Sequence, residues 1–532
     1  MKKINKFGIG AALLMASTLL NTSCIDETQP TGSVLEEQIQ KSNTAAENLL
    51  MGIPAYFNKF YFSARYDWAF GYGAIMHIRD VETADLLRAA SNYDQFSYFA
   101  QNRNMGKDYI FSQYLWGYQY KFVNQANTFL ATVKEEGATA DQLAYRSAAY
   151  AFRALMYLDM AREYEFLPND KFTGTNEDGN DVKNLTVPIV TEETTEEQAR
   201  NNPRAKRDEM AAFILSDLQK AEEHIGDLSN SDHVLPHLDC VYGLYARYYM
   251  WLENYPKARE YARKAIDAAT TTPMTQSAAL NTAAGFNDIT QWMWGAMYTK
   301  EALESNLSNW TSFLSNETNF GYAGGGGVTL MINSTMYDQI GNNDWRKLLW
   351  KAPEGSALDG KNTYADATLG ENLPEYASLK FRPGQGNTTT YSVACIAGYP
   401  IMRVEEMYFI EAEAAARENA DEGKALLENF MKLYRDPTYS VPSSVASQED
   451  LVDEILFQKR VELWGEGQTF FDIKRTNMPV TRSGANYQRP NEIFNTTTRP
   501  AWMNWVIIST EEDGNKALDG YNNPDPTDAY RN

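Results

Sequence analysis

The sequence predicts a mainly α-helical fold in which paired helices stack and long irregular segments are inserted between them. Two observations lead there. Apolar residues recur at three- and four-residue steps through several long stretches, the period of a helix with one buried face. These stretches come in pairs joined by short connections, whereas residues 271–399 are rich in Asn, Thr, Ser and Gly and show few helical periods.

Taken in order, residues 44–61 carry Leu49, Leu50, Ile53, Tyr56 and Phe57 at helical spacing, with Pro54 expected to kink or break the helix. Residues 113–133 repeat Leu115, Tyr118, Phe122, Ala126 and Phe129, and residues 142–164 repeat Ala148, Ala151, Leu155, Leu158 and Met160. Residues 207–225 follow a polar loop, with Asp208 available as an early cap. The clearest unit is residues 237–269. Its first helix carries Gly243, Leu244, Tyr248 and Met250, Tyr255 and Pro256 make the turn, and Ala258, Ala262 and Ala265 line the second. Small residues at those steps let two helices approach closely, and the spacing resembles a tetratricopeptide repeat. Residues 405–417 and 422–435 form another pair. About four pairs result, above the roughly three that a stacked core needs.

Residues 271–399 fall between the third and fourth pairs and contain the glycine run 324–327; long structured loops and short strands are expected there. Loops longer than ~15 residues in a compact domain are functional or disordered, and the aromatic content argues against disorder. The predicted organisation is a leader at 1–23, a tether at 24–40 and one unit at 41–532. Within that unit the helical repeats occupy 41–270 and 400–476, the insertion 271–399 would bind ligand, and 477–532 is an extension.

The N-terminus carries its own information. Lys2, Lys3 and Lys6 precede an uncharged run, residues 8–20, that is too short to span a bilayer, and Thr22 and Ser23 lead into Cys24. A charged start, a short apolar run and small residues describe a secretory signal peptide. With a cysteine at the cut, the segment resembles a bacterial lipoprotein signal, in which Cys24 becomes the lipidated first residue. Asp26 and Glu27 resemble the acidic export signal of surface lipoproteins in Bacteroides-type bacteria, which implies an outer-membrane protein, lipid-anchored and facing the cell exterior. Acyl chains contribute ~0.8 kcal/mol per buried methylene, so several would hold the body at a membrane.

Losing three lysines from a net charge of −22 leaves −25. That charge repels phosphate backbones and anionic lipid, which argues against nucleic acid as a partner. Apart from Cys24 only Cys240 and Cys395 are present, no basis for a disulfide framework, and buried free thiols are expected.

Residues 459–476 (KRVELWGEGQTFFDIKRT) carry Arg460, Glu462, Leu463, Glu466, Gly467, Phe471, Asp472 and Arg475. This segment resembles the hallmark of SusD/RagB-like outer-membrane nutrient-binding lipoproteins, with Gly465, Gln468 and Thr469 departing from it. Residues 400–415 (PIMRVEEMYFIEAEAA) resemble another family helix, and residues 116–127, 217–221 and 506–522 also have familiar shapes, so the likeness runs over nearly the whole mature chain. As chemistry, Arg403, Glu411, Glu413, Arg460, Glu462, Glu466, Asp472 and Arg475 read as a mutually paired network, because buried charge is tolerated only when partnered. The resemblance implies a lid on a TonB-dependent, SusC-like β-barrel transporter, which holds a nutrient glycan and closes over the pore. RagB-type members handle peptides with the same machinery. A lipid-anchored glycoside hydrolase is a remote alternative, and the chain is read as a binding protein rather than an enzyme.

Sugar rings stack their apolar faces on indole and phenol rings while polar groups set orientation. With 11 Trp, 33 Tyr and 24 Phe the chain can supply such faces. The candidates for ligand contact are Asp67, Trp68, Trp292, Trp310, Tyr322 and Arg382, with Phe70, Tyr72, Trp294, Phe320 and Tyr391 nearby in the same irregular material. For any single aromatic, burial in the core is the commoner outcome. No cofactor is implied. His233, His237, Asp239 and Cys240 lack the ordered ligand set of a zinc site, and residues 324–327 are not followed by the Gly-Lys-Ser/Thr of a phosphate loop.

Overall fold

Helix caps and buried stripes set where each element starts and which face turns inward. The computed structural model describes residues 36–62, 66–90, 94–167, 174–303, 305 and 307–529; Cys24, Asp26 and Glu27 lie outside them. Helix α1 (Asn43–Tyr56) opens with Ser42 accepting from Ala45 N–H and buries Ala46, Leu50 and Ile53. It runs through Pro54 rather than breaking there, because the proline falls in the last turn. Helix α2 (Tyr72–Val81) is buried along its whole length. Next come α3 (Ile110–Thr132) and α4 (Ala140–Tyr164), the latter started by a reciprocal cap between Thr139 and Gln142.

Helix α5 (Arg207–His224) corrects one expectation. Its N-cap is Lys206, whose backbone N–H donates to the Glu209 carboxylate at 3.0 Å, and Asp208 is exposed. Helices α6 (Leu238–Trp251) and α7 (Tyr255–Ala268) form the predicted hairpin, with Asn254 accepting from Lys257 N–H and a proline in the first turn of α7. Ala258, Ala262 and Ala265 are fully buried, so α7 seats its small-residue stripe directly against its neighbours.

Further along the chain come α8 (Trp310–Leu314), α9 (Val404–Glu418), α10 (Ala420–Tyr434), α11 (Gln448–Glu462) and α12 (Thr469–Thr476), with short helices between and beyond them. The stack passes from α3 to α4 to α5, then from α6 to α7, and α7 packs on α9, which in turn packs on α10 and α11. The chain therefore leaves the stack after α7 and rejoins it at α9. The mainly α, tetratricopeptide-like arrangement is the architecture that the periodicity predicts.

The excursion between α7 and α9 is stitched down by four short strands, β1 (Leu86–Arg88), β2 (Trp294–Met297), β3 (Leu330–Ile332) and β4 (Gly398–Met402). β1 pairs antiparallel with β3, and β2 with β4. One pair ties the excursion to the segment after α2, the other to the entry of α9. Among the described residues no helix is long and apolar enough to cross a membrane. Cys240 and Cys395 are free and buried.

The charges around the hallmark segment are paired, but as two clusters and two separate pairs rather than one network. Glu462 accepts from Arg403 and Arg346 at 3.1 Å each and from Arg435 at 2.7 Å, and Glu466 takes Arg403 at 2.9 Å and Lys380 at 2.6 Å. A second cluster joins Arg475 to Glu413 and Asp472, with Lys459 on Asp472 at 2.8 Å. Arg460 instead pairs with Asp85, and Glu411 with Arg263. Gly467, at φ +68, brings the chain so close to Met76 that a Cβ would meet its Cα at 2.9 Å, and its N–H donates to Asp80 of α2. The hallmark thus clamps α9, α11 and α2 together.

Candidate functional site

Three irregular segments meet on one side of this scaffold: residues 57–62 and 66–70 after α1, residues 307–328 around α8, and residues 387–391. Asp67 joins the first to the second. Its carboxylate accepts from Ser308 Oγ at 2.8 Å and from the Tyr322 hydroxyl, also at 2.8 Å. The Tyr322 ring stacks on Phe313 with centroids 4.6 Å apart, and Phe313 stacks on Phe70 at 5.0 Å. Phe70 and Phe313 are buried, so the outermost ring of this three-layer sandwich rests on a rigid base while Tyr322 itself is half-buried.

The glycine run explains how Tyr322 reaches that position. Residues 321–325 make a single wide helical turn, closed by Gly326 N–H donating to Gly321 O at 2.8 Å. A Cβ at Gly324 would collide with the Thr318 carbonyl, and Gly327 has φ +70. The glycines let the chain fold tightly on itself, and Gly325, Gly326 and Gly327 are exposed at the rim. Asn319 N–H donates to Thr388 O at 2.9 Å, which joins this turn to the short helix that carries Tyr391. Tyr391 is 47 % exposed, one of few large apolar side chains presented this fully among the described residues. On the other flank, half-buried Phe62 and Tyr66 pack against each other at 5.2 Å beside Asp67.

The remaining candidates sit in the core. Trp68 is boxed by Phe111 and Tyr114 in edge contacts, Trp292 is fully buried against Gly295 and Gly398, and Trp310 stacks on Tyr399 at 4.6 Å. Arg382 is also buried: it pairs with Glu317 and donates to Thr363 O at 2.8 Å, which fastens the excursion internally. Burial keeps the Glu317 carboxyl above its usual range even with Arg382 beside it. Tyr72 and Trp294 are core as well, Tyr72 being bonded to Asp159. The structure therefore brings together Asp67 and Tyr322, with Phe320 and Tyr391 nearby, and leaves Trp68, Trp292, Trp310 and Arg382 no outward face. Ser308 and Asn319 were not singled out from sequence, since neither sits in a pattern that distinguishes it from dozens of other polar loop residues.

Two family models match the chain. One, described as the SusD family, covers residues 292–531; the other, described as starch-binding and associating with the outer membrane, covers residues 74–250. The chain is a SusD/RagB-like protein. Solved structures share its fold. A SusD-like carbohydrate-binding protein from Bacteroides vulgatus is 23 % identical, with a TM-score of 0.69 over 90 % of this chain and 97 % of its own. A SusD superfamily protein from Bacteroides thetaiotaomicron is 18 % identical, with a TM-score of 0.67 over 90 % and 98 %. A SusD-like carbohydrate-binding protein from Bacteroides fragilis is 13 % identical, with a TM-score of 0.65 over 90 % and 99 %. No match to this chain occurs among curated protein sequences.

Proposed function

We propose that this chain is a non-enzymatic surface lipoprotein that captures a nutrient glycan at the Asp67–Tyr322 face and delivers it to a SusC-like, TonB-dependent β-barrel transporter. One observation carries the reading: a half-buried tyrosine ring, backed by two buried stacked phenylalanines, stands next to a carboxylate already oriented by two hydroxyls. A ring held flat receives the apolar face of a sugar without losing side-chain freedom, and the carboxylate accepts from the sugar's hydroxyls. Tyr391, Phe62 and Tyr66 extend the aromatic surface on either flank. The matching family is described as starch-binding and two structural neighbours as carbohydrate-binding, which supports a glycan as cargo. In this reading Cys24 is acylated and tethers the body to the exterior of the outer membrane.

Isothermal titration of the chain lacking residues 1–23 against a panel of polysaccharides and oligopeptides tests the cargo. Saturable binding of a glycan that is weakened in Tyr322→Ala supports the reading; binding of peptides alone assigns peptide import instead. Polysaccharide cleavage by the pure protein defeats the non-enzymatic role. A Cys24→Ala chain that still fractionates with the membrane defeats the anchor.

A further inference from the structure

Opposite in character to the acidic whole is a cavity of about 130 Å³ beside the hallmark segment, enclosed by the C-terminal ends of α4 and α6, by α9 and by α12. Seven basic and four acidic side chains line it, an excess of positive charge in a chain whose net charge is −22. Three of the four acids are already engaged. Glu406 is gripped by Arg247 through both oxygens, at 2.8 and 2.6 Å, and Glu165 takes Arg207 at 2.9 Å and Trp251 Nε1 at 3.0 Å. Asp472 is held by Lys459 and Arg475.

Two of the cations, Lys474 and Arg475, are less well served. Lys474 is 2 % exposed, yet its ammonium donates only to the Glu163 backbone carbonyl at 2.9 Å, with no carboxylate within ion-pair distance among the described residues. The Arg475 side chain is 8 % exposed; Nη2 serves Glu413 and Asp472, and Nη1 is buried without a hydrogen-bond partner. Arg162, paired with Asp159 at 2.6 Å, lies over the Phe471 ring at 3.6 Å, and Arg499 donates to the Lys474 carbonyl at 3.1 Å, which keeps a third and a fourth cation at the same wall. A buried ammonium without a counter-charge is expensive, and an anion in the void relieves that cost.

We propose that this cavity is a binding site for a small oxyanion, held by Lys474, Arg475, Arg162 and Arg499. One water needs only ~10–15 Å³ of such space, so the volume admits a tetrahedral anion with a few waters. Burial first, and then the neighbouring Arg499, hold the Lys474 ammonium well below the usual lysine range against the more distant pull of Glu165 and Glu163. Phosphate, sulfate and the carboxylate of an acidic sugar share the chemistry that these groups recognise. Because the same wall belongs to α9 and α12, occupancy would stiffen the clamp that the hallmark charges build.

Thermal melting of the whole mature chain with sodium phosphate, sulfate, glucuronate or chloride at matched ionic strength tests the assignment, paired with titration calorimetry. The expected result is a saturable rise in melting temperature with at least one oxyanion but not with chloride, and binding weakened ~10-fold or more in Lys474→Met. Which oxyanion binds separates an inorganic ion from a sugar acid. Equal shifts in every salt, or undiminished binding in Lys474→Met, overturn the proposal. Should that variant fail to fold, selenate-soaked crystals of the wild type decide: an anomalous peak beside Lys474 Nζ supports the site, and an empty cavity at saturating selenate removes it.

Discussion

Tyr322 donates its hydroxyl to Asp67 Oδ2 across 2.8 Å, joining two loops that lie 255 residues apart. The bond fixes the edge of the ring while the Phe313 stack fixes its face. The two contributions separate by mutation. Tyr322→Ala removes both, and because aromatic stacking contributes ~0.5–1.5 kcal/mol beyond area burial, glycan affinity should fall by about 3- to 10-fold. Tyr322→Phe keeps the stack and frees Asp67, so its loss should be smaller. Calorimetric titration of both variants checks this order; equal affinities in wild type and Tyr322→Ala would take the face off the map.

Trp310 behaves oppositely because its environment differs. It is 1 % exposed, stacked on Tyr399 and edge-on to Phe381, so it is part of the floor beneath the excursion. Replacing a buried Trp by Ala costs ~3–5 kcal/mol through lost transfer energy and a residual cavity. Trp310→Ala should therefore lower the denaturant midpoint markedly, whereas Tyr322→Phe leaves it nearly unchanged. A Trp310→Ala chain as stable as wild type but unable to bind glycan would return this indole to the ligand surface.

What could be read from the chain depended on whether a pattern repeats. The α6–α7 hairpin was legible because Ala258, Ala262 and Ala265 recur at helical steps and each must sit against another helix. The hallmark charges were legible as pairs, since buried carboxylates need cations, but not in their separate groupings, because Arg346, Lys380 and Asp85 come from distant segments without periodicity. The candidate face was only partly legible. Asp67 and Tyr322 stood out by type, yet the same reasoning selected Trp292, Trp310 and Arg382, which the excursion folds inward, and Trp68, which packs against Phe111 and Tyr114. An aromatic in an irregular segment looks alike in sequence whether it faces water or the core, and only non-local pairing such as β2 with β4 decides which.

Glu462 contacts three arginines, Arg403, Arg435 and Arg346, while almost fully buried. Burial raises its carboxyl, but Arg435 and then Arg403 outweigh that and hold it well below the usual glutamate range. Removing one member of a buried ion pair leaves the other uncompensated, at a cost of ~3–5 kcal/mol. Glu462→Gln should unfold at clearly lower urea than wild type at neutral pH. The sign for acid follows: a carboxylate with a depressed pKa stabilises above its unfolded value and loses that contribution as the pH drops through the folded one. The gap between wild type and Glu462→Gln should thus close only in strong acid; a gap absent at neutral pH would mean that the three arginines find other partners.

Glu163 carries the reverse pH signature. It is fully buried on α4, within 3.4 Å of Arg79 and bonded to Gln119, and burial, reinforced by Asp159, raises its carboxyl from the usual 4.5 to about 7 against the pull of Arg79. A group whose folded pKa lies above its unfolded one contributes stability in full below the unfolded value and loses it as the pH rises through the folded value. The window is therefore from about 4.5 to about 7. Glu163→Gln cannot ionise and lacks that slope. Subtracting its unfolding free energy from that of wild type across this range should give a difference that declines with rising pH by up to ~3 kcal/mol, since each pKa unit is worth ~1.4 kcal/mol. Parallel curves for the two proteins would mean that Glu163 is already ionised when folded, with Arg79 as its full counter-charge.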